Sequence, residues 1–366
     1  MATAEDHRYM ARAIELARRG LYTTHPNPRV GCVLVRDGRI IGEGYHLRAG
    51  KPHAERNAIA DAGGSATGAT AYVTLEPCCH HGRTPPCTEG LIEAGVSRVV
   101  MAMQDPNPLV SGDGARRLRD AGIEVESGIL ESQARELNPG FIRRMESGLP
   151  FVRCKLAMSL DGRTAMSSGE SKWITGPAAR ADVQRLRARS DAVVTGIGTV
   201  LADDPSMNVR LEQPAGEPAQ PLRVVLDPQL EMPPGARMLK LPGQILVVCS
   251  CDSSDRGAAL EKEGAEVVRL PGSSDEIDLS LLLQYLAERQ INEVLIEAGS
   301  TLAGAALWKG VVDELVVYAA PHIMGDGGRG LFHLPELELM RDRVELEISD
   351  VRMVGSDLRL IIKPKD

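Results

Sequence analysis

This 366-residue chain has few aromatic residues, no long apolar run and no excess of positive charge. Phe, Trp and Tyr make up only 3% of the chain, which is too little for a platform that stacks on nucleic-acid bases. No apolar stretch reaches the ~20 residues of a membrane span. The net charge of −8 argues against a broad surface for nucleic acids or anionic membranes. We therefore expect no nucleic-acid partner and no membrane partner.

A disulfide framework is also missing, because seven cysteines are few for this length and their number is odd. The N-terminal residues include acids where a secretory signal would have a basic region and an apolar run. These features predict a cytoplasmic, reducing location, where clustered cysteines bind metal or react. Cys78, Cys79 and Cys87 form such a cluster, and five of the eight histidines lie between His25 and His81.

The length of the chain predicts two domains at ~150 residues each. Strand-like and helix-like segments alternate, which predicts α/β domains, with a largely parallel end to the first sheet. We place the boundary near Ser147, so that the domains span residues 1–146 and 147–366. In the first domain, helices are predicted at residues 6–19, 53–62, 88–94 and 115–120, and strands at 29–35, 39–45, 69–75, 98–103 and 123–125. In the second, strands are predicted at residues 151–158, 192–195, 222–226, 244–249, 293–296, 314–318, 344–354 and 358–362.

Local signals predict how two of these elements begin and end. Asp6 is expected to cap the first helix and Gly20 to end it. Asp37-Gly38 lies between two strand-like segments and is a strong hairpin signal.

The first group of chemically active residues is His53, Glu55, Cys78 and Cys87. His and Cys side chains are natural zinc ligands, and three of them leave a fourth position for water. Zinc lowers the pKa of that water and makes it a nucleophile, which leaves Glu55 free as the proton carrier. His-x-Glu at a helix start, followed by Pro-Cys after the next strand, is the pattern of zinc deaminases.

The spacing alone leaves the third zinc ligand open. The usual second half of the pattern is Pro-Cys-x-x-Cys, which would place the third ligand at His81, whereas the next cysteine is Cys87. The alternative to a catalytic site is a closed structural zinc site that uses Cys78, Cys79, His80 or Cys87. Pro85-Pro86 suits the start of a helix before Cys87, so two helix N-termini would point at the metal.

The strings HPNPRVGCVLV, HAERNAI, EPCCHHGRTPPC and DPNP resemble the deaminase domain of the RibD family of bifunctional riboflavin-biosynthesis enzymes. The resemblance implies a cytidine-deaminase-like α/β/α sandwich with zinc on His53, Cys78 and Cys87. It implies that Glu55 is the proton shuttle and that Cys79 and His81 only border the site. It also implies a pyrimidine and ribose-phosphate pocket lined by Asn27, His46, His80, Thr84, Asp105 and Asn107.

The second half has no Gly-x-Gly-x-x-Gly after a strand, so a standard dinucleotide fold is not predicted. A different phosphate cradle is available where a loop at residues 297–301 precedes a helix at residues 302–308. The alternative is a glycine turn needed only for packing. Lys155 lies in an apolar strand, where inward-facing lysines are rare. Asp203 and Arg210 are expected in a charged loop after a strand, and four arginines share one basic helix: Arg180, Arg185, Arg187 and Arg189.

The strings KLAMSLDGRTA, SKWITG, GTVLADDP and IEAGSTLAG resemble the reductase domain of the same family. The resemblance implies a dihydrofolate-reductase-like α/β domain that uses NADPH. The implied cofactor-binding residues are Ala157, Trp173, Thr199, Asp203, Gly299, Ser300, Thr301, Leu302, Ala303, Gly304 and Ala305. The implied substrate-binding residues are Ser171, Arg187, Met207, Arg210 and Glu297. We expect Lys155, Asp203 and Glu297 at the hydride-transfer site, with their individual roles open.

The resemblance implies two steps on one small phosphorylated substrate. Zinc and its hydroxide would deaminate a diaminopyrimidinone that carries a phosphoribosylamino group, and NADPH would then reduce the ribosyl group to ribityl. Three alternatives stay open: a deaminase of free or tRNA nucleosides, a regulatory protein with structural zinc, and a fused enzyme with one inactive half. We expect a homo-oligomer, a dimer or tetramer, although the sequence itself does not set the number of subunits.

Overall fold

A computed structural model describes residues 3–82, 84–211, 219–252, 254–272, 276–335 and 337–365 of the chain. The chain divides into two compact units, one ending at Leu149 and the other beginning at Pro150. Each unit contains its own main sheet. Within the described residues, no helix is both long enough and apolar enough to span a bilayer.

The first unit is a five-stranded sheet with helices on both faces. Its elements, in chain order, are α1 (Ala4–Arg18), β1 (Gly31–Arg36), β2 (Arg39–Tyr45), α2 (Ala54–Asp61), β3 (Thr70–Val73), α3 (Cys87–Glu93), β4 (Arg98–Met101), α4 (Asp113–Asp120), β5 (Glu124–Ser127), α5 (Glu131–Leu137) and α6 (Pro139–Ser147). The strand order is β2-β1-β3-β4-β5, and β3, β4 and β5 run parallel as predicted. The other pairs, β1 with β2 and β1 with β3, are antiparallel.

Alternate residues of β1 face two separate hydrophobic cores. Val33 and Val35 pack in the core that contains residues of α1, α5 and α6. Cys32 and Leu34 pack in the core that contains residues of α2, α3 and α4. A strand turns successive side chains to opposite faces, so this pattern places one helical layer on each side of the sheet. The predicted α/β/α sandwich is confirmed.

The predicted cap of α1 is wrong. Thr3 is the N-cap, and its hydroxyl accepts the Asp6 N–H at 3.1 Å. The Asp6 carboxylate accepts the Thr3 N–H at 2.8 Å, which completes a capping box. Asp6 therefore lies in the first turn, and the helix ends at Arg18 before it reaches Gly20.

The predicted hairpin turn between β1 and β2 is confirmed. Asp37 and Gly38 both have positive φ angles, 52° and 70°. Two left-handed residues match the right-handed twist of the flanking strands. By contrast, α5 and α6 were not predicted, because Pro139 and Gly140 read as chain breakers. Pro139 is the first residue of α6, where its missing N–H costs nothing.

The second unit is a nine-stranded sheet in which most strands are parallel. Its elements are β6 (Phe151–Ser159), β7 (Arg163–Ala165), α7 (Pro177–Arg189), β8 (Ala192–Gly196), α8 (Ile197–Asp203), β9 (Leu222–Leu226), β10 (Ile245–Cys249), α9 (Ser254–Lys262), β11 (Glu266–Arg269), α10 (Leu279–Glu288), β12 (Glu293–Glu297), α11 (Ser300–Trp308), β13 (Glu314–Ala320), β14 (Arg329–Gly330), β15 (Leu346–Val354) and β16 (Asp357–Pro364), with short 3₁₀ helices at Arg237–Lys240 and Met340–Asp342. The strand order is β11-β10-β9-β8-β12-β6-β13-β16-β15. Strand β16 pairs antiparallel with β13 on one side and with β15 on the other, and the β15–β16 pair is the predicted C-terminal hairpin.

The predicted α/β class of the second unit is confirmed, with two local corrections. Helix α11 begins at Ser300, so Ser300 and Thr301 belong to the helix rather than to the loop before it. Asp203 is the last residue of α8, so it follows a helix and not a strand. In both cases the connection is shorter than expected, because Gly196 is both the last residue of β8 and the N-cap of α8, and only Ala298 and Gly299 separate β12 from α11.

Candidate active sites

Three ligand-type atoms converge in the first unit. His53 is the N-cap of α2, Cys87 is the first residue of α3, and Cys78 lies in the loop after β3. The Nδ1 atom of His53 is 3.6 Å from Cys78 Sγ and 3.3 Å from Cys87 Sγ. Among the described residues, this is the only group of three His, Cys, Asp or Glu side chains with ligand atoms within 4.8 Å of one another. The two helix starts therefore meet as the sequence predicts.

One close contact packs α2 against β2, and a second joins α2 to the start of α3. A Cβ at Gly44 would lie 2.2 Å from the carbonyl oxygen of Ala54, so only glycine lets α2 approach β2 this closely. Arg56, on α2, donates from Nη2 to the carbonyl oxygen of Pro86 at 3.1 Å. Its guanidinium also fills the space that a side chain at Gly90 would need. Arg56 thus joins the start of α3 to α2.

The donor set suits a cation. The Cys87 thiol, His53 and the Cys87 N–H, which lies 3.3 Å from Cys78 Sγ, together lower the pKa of Cys78 to about 4, against the effect of burial. The negative Cys78 and burial raise the pKa of Cys87. Two adjacent thiolates would repel each other unless a cation lay between them. One imidazole and two sulfurs are a zinc donor set with a fourth position left over.

Glu55 lies beside this cluster and is only 3% exposed. Burial raises the pKa of its carboxyl, and the charge of Cys78 raises it further, while His53 partly opposes the shift. A carboxyl with a raised pKa can hold a proton closer to neutral pH than an exposed glutamate does. This is the property that a proton carrier needs.

Two of the predicted pocket residues are hydrogen-bonded to each other next to His53. Asn27 Nδ2 is 3.1 Å from His46 Nε2, and His46 Nδ1 is 3.2 Å from the carbonyl oxygen of Pro52. Nδ1 must donate to that carbonyl, so Nε2 accepts from Asn27 and the ring is neutral. Burial lowers the pKa of His46 to about 4, which agrees with a neutral ring. The rings of His46 and His53 meet edge to face with centroids 5.1 Å apart.

Asp105 and Asn107 lie in the loop after β4, which is held by a glutamate that sequence reasoning missed. Burial raises the pKa of Asp105 to about 7, with further contributions from Glu76 and Cys78, and Asp105 Oδ1 accepts the Asn107 N–H at 2.8 Å. The buried Glu76 carboxylate accepts three backbone N–H groups, from Asp105 at 3.2 Å, Gly112 at 3.0 Å and Ala115 at 2.9 Å. The only signal in the sequence is an acid at the end of an apolar strand, directly before Pro77-Cys78.

Four further residues of the Cys78–Cys87 loop lie either beside His53 or at the surface. Thr84 Oγ1 is 3.2 Å from His53 Nε2. His81 is exposed and its Nε2 lies 3.3 Å from Glu89, outside the three-residue group, so the alternative of His81 as the third ligand is not supported. His80 is exposed, and Cys79 Sγ donates weakly to the carbonyl oxygen of Leu109 at 3.8 Å.

The second unit brings Lys155, Glu297 and Arg187 together. Lys155 and Glu297 are paired neighbours on β6 and β12. Arg187, on α7, binds the Glu297 carboxylate with two hydrogen bonds of 2.6 and 3.0 Å, and donates a third to the carbonyl oxygen of Asn208 at 3.2 Å. Of the four arginines predicted on this helix, Arg187 is thus the one that is buried against the Glu297 carboxylate.

The charges of this cluster depend on burial. Burial lowers the pKa of Lys155, while the nearby Glu297 carboxylate opposes the shift. Burial alone would raise the pKa of Glu297, but the Arg187 guanidinium outweighs it and holds the pKa below its usual value. Arg210 lies close enough for its pKa to be lowered by burial and by Arg187. Glu297 is therefore ionised beside a lysine that can release its proton more easily than usual.

The predicted cofactor residues at Trp173 and Asp203 lie in a second cluster. Lys172 Nζ is 3.0 Å from Asp203 Oδ1, so the Trp173 loop is tied to the end of α8. The Trp173 side chain is 71% exposed, and the Arg180 guanidinium lies 4.7 Å from its ring centroid. A ring with one face on a cation and so much exposed surface can stack against a planar ligand.

The start of α11 has the form of an anion cradle. The first N–H groups of a helix have no acceptor within it and attract phosphate. A Cβ at Gly299, the N-cap, would meet no atom within 4 Å, so the approach to this helix start is open. Gly304 has a packing role of its own, because a Cβ there would lie 2.2 Å from the carbonyl oxygen of His333. Met207, Ser300 and Ala303 are buried. The remaining predicted site residues are half-buried or exposed: Ala157, Ser171, Thr199, Thr301, Leu302 and Ala305.

Comparison with known proteins supports both halves. The family model for the cytidine and deoxycytidylate deaminase zinc-binding region matches residues 3–103, and the model for the RibD C-terminal domain matches residues 150–360. The riboflavin biosynthesis protein RibD of Escherichia coli (strain K12) is 51% identical, and the match covers 97% of this chain and 98% of the relative. Acinetobacter baumannii RibD is 48% identical with a TM-score of 0.92, covering 99% of both chains.

A third relative carries a more explicit description. A diaminohydroxyphosphoribosylaminopyrimidine deaminase/5-amino-6-(5-phosphoribosylamino)uracil reductase from Thermotoga maritima is 36% identical, with a TM-score of 0.87 and 99% of both chains covered. Fold and sites thus define the chain as a fusion of a zinc-binding deaminase domain with a reductase domain. The chain belongs to the RibD family of bifunctional riboflavin-biosynthesis enzymes, whose reductase domain is NADPH-dependent.

Proposed function

We propose that His53 through Nδ1, Cys78 and Cys87 bind the zinc of the deaminase domain, and that Glu55 is its proton carrier. The observation that carries this proposal is the meeting of the three ligand atoms within 4.8 Å beside a buried carboxyl. Three ligands leave a position for water, which separates a catalytic zinc site from a closed structural one. The alternative of a purely regulatory zinc protein has no such support.

We propose a phosphorylated pyrimidine as the substrate of this site, and more specifically a diaminopyrimidinone with a phosphoribosylamino group. The description of the Thermotoga maritima relative supports this choice. Within the pocket, the neutral His46 and its partner Asn27 orient the ring, together with His80, Asp105 and Asn107. Asp105 can either donate or accept near neutral pH, because its pKa is raised to about 7 by burial.

The chemistry divides between the metal and the chain. When bound, zinc supplies the Lewis acidity that lowers the pKa of water. Glu55 takes a proton from the attacking water and gives it to the ring nitrogen. It then takes the remaining proton of the added hydroxyl and gives it to the amine, which leaves as ammonia while the ring carbon becomes a carbonyl. Burial of Glu55 keeps this proton away from bulk water and raises the carboxyl pKa towards the range that such a transfer requires.

In the reductase domain, we propose that Lys155, Asp203 and Glu297 surround the reacting sugar and that the ribosyl group becomes ribityl. NADPH, when bound, supplies the hydride. Lys155 and Glu297 can hold or move a proton at the sugar, because burial lowers the pKa of Lys155 and Arg187 lowers the pKa of Glu297. The remaining binding roles follow the sequence prediction. They assign the cofactor to Ala157, Trp173, Thr199, Asp203 and residues 299–305, and the substrate to Ser171, Arg187, Met207, Arg210 and Glu297.

We further propose that the two activities divide the chain into residues 1–146 and 147–366. The two family models, which match residues 3–103 and 150–360, are compatible with this boundary. The cytoplasmic location and the homo-oligomeric state, dimer or tetramer, stay predictions.

Zinc content measured on purified variants tests the ligand set. We expect one zinc per chain in the wild type and a loss of most zinc in Cys87→Ala, because two remaining ligands bind zinc poorly. His81→Ala is the matched control, since His81 lies in the same loop but outside the cluster. Zinc loss in His81→Ala with retention in Cys87→Ala would move the third ligand to His81 and contradict the proposal.

A further inference from the structure

The two ring nitrogens of His53 face different partners. Both cysteine sulfurs lie on the Nδ1 side, at 3.6 and 3.3 Å. The hydroxyl of Thr84 lies on the opposite side, with Oγ1 3.2 Å from Nε2. Thr84 is half-buried and belongs to the same loop as Cys78 and Cys87. The resemblance assigns Thr84 to the substrate pocket, but its visible contact is with the histidine.

This contact has a consequence for metal binding. A neutral imidazole that binds a metal through Nδ1 must carry its proton on Nε2. That N–H then points at Thr84 Oγ1, which can accept it. A metal-ligating histidine whose other nitrogen is hydrogen-bonded has a fixed tautomer and a fixed ring orientation, and it is a better ligand for both reasons.

The contact also ties the loop to the helix start. Thr84 lies between the two cysteine ligands in the sequence, whereas His53 is the N-cap of α2. A hydrogen bond between Thr84 and His53 therefore restrains the loop that carries Cys78 relative to His53 at the start of α2. The ring of His46 also packs edge to face against the ring of His53.

We propose that Thr84 is a positioning residue for the zinc site, which it serves by accepting the Nε2 proton of His53. This inference rests on the proposed ligand set of His53, Cys78 and Cys87. On this proposal Thr84 is not one of the residues that contact the substrate. Thr84 then acts before any substrate binds, so its removal has an effect that can be measured on the protein and zinc alone.

The test replaces Thr84 with valine, which keeps the shape and removes the hydroxyl, and with serine, which keeps the hydroxyl. Zinc affinity is measured without substrate, by competition between the apo-protein and a chromophoric chelator. We expect Thr84→Val to bind zinc about 10- to 100-fold more weakly and Thr84→Ser to restore near wild-type affinity. The KM of the deaminase step, measured at saturating zinc, is expected to stay close to the wild-type value in both variants.

Three controls keep the outcomes apart. Thr70→Val removes a hydroxyl from β3, away from the site, and should leave zinc affinity unchanged. A wild-type far-UV circular dichroism spectrum and a cooperative thermal unfolding transition report that each variant is folded, and Thr84→Ala replaces Thr84→Val if the latter fails this check. Unchanged zinc affinity in Thr84→Val together with a raised KM would overturn the inference and make Thr84 a substrate contact. Retention of zinc in Cys87→Ala would instead contradict the ligand set itself.

Discussion

At the scale of single residues, the proposed reductase site contains one buried ion pair, between Arg187 and Glu297. Glu297 and Arg187 are only 10% and 12% exposed at their side chains, and they share two hydrogen bonds. Removing one partner of such a pair leaves a buried charge without compensation. Arg187 also donates a hydrogen bond to the carbonyl oxygen of Asn208. Its guanidinium is therefore held in place by protein groups, and its main effect is to keep Glu297 ionised.

Arg187→Gln should therefore change the pH dependence of the reductase step. Without the guanidinium, burial raises the pKa of Glu297, and a higher pH is needed to ionise it. We expect the acidic limb of the kcat/KM profile to move to higher pH, and activity near neutral pH to fall by at least about tenfold. The measurement is NADPH oxidation on pre-deaminated substrate across pH.

Arg185→Gln is the matched control for this prediction. Arg185 lies on the same helix but is 62% exposed, and it pairs with Asp182 at 3.5 Å. Its variant should keep the wild-type pH profile. A reduced rate in Arg187→Gln with no shift of the acidic limb would mean that Arg187 contacts the substrate without controlling the ionisation of Glu297.

At the scale of elements, the start of α4 positions the loop that carries Cys78, one of the proposed zinc ligands. The carboxylate of Glu76 accepts N–H groups from this helix start and from the Asp105 loop. Gly114, in the first turn of α4, packs so closely that a Cβ would lie 2.2 Å from the carbonyl oxygen of Pro77. Pro77 precedes Cys78, so the spacing between α4 and the loop sets where this proposed ligand lies.

Gly114→Ala should disturb this spacing. The methyl group cannot fit against a backbone carbonyl, so α4 or the Cys78 loop must move, at a cost of about 1–3 kcal/mol. We expect weaker zinc binding and lower ammonia release, with the reductase rate unchanged. Gly257→Ala, where a Cβ would make only ordinary contact at 3.7 Å, is the control. Full zinc affinity in Gly114→Ala would show that the close approach does not position Cys78.

Most elements could be predicted from the sequence, because apolar periodicity and turn residues report local structure. The exceptions have physical reasons. Pro139 and Gly140 read as chain breakers, yet Pro139 occupies the first position of α6. The strand Glu266–Arg269 lies at the edge of its sheet and has no fully buried residue, so no alternation marks it. Thr3 could have been found as a cap from the acid three residues later.

The candidate sites were predictable where their residues form short motifs. His53, Glu55 and Cys78 carry a recognised order and spacing, and the structure adds that Cys87 completes the group. The residues that hold these side chains in place are not marked by any motif. Arg187 binds Glu297 from a distant part of the chain, and Thr84 contacts His53 although their spacing in the sequence does not indicate it. Such pairings follow from tertiary packing and have no signal in the linear sequence.

At the scale of the whole molecule, two sites of different chemistry lie in two units of one chain. The first has a thiol and imidazole donor set with a buried carboxyl, and the second has a lysine, an acid and an open helix start. The two sites have no residue in common. The family assignment gives the same division, with a deaminase region first and a reductase domain second.

The most direct test of this division is one variant assayed for both activities. Glu55→Gln removes the proton carrier and keeps the size of the side chain, so ammonia release should fall by about 10²- to 10⁴-fold or more. Zinc content should stay at the wild-type level, because Glu55 is not one of the three proposed ligands. The same protein should reduce pre-deaminated substrate with NADPH at the wild-type rate. Loss of both activities in a folded, zinc-loaded chain, or normal ammonia release, would contradict the account.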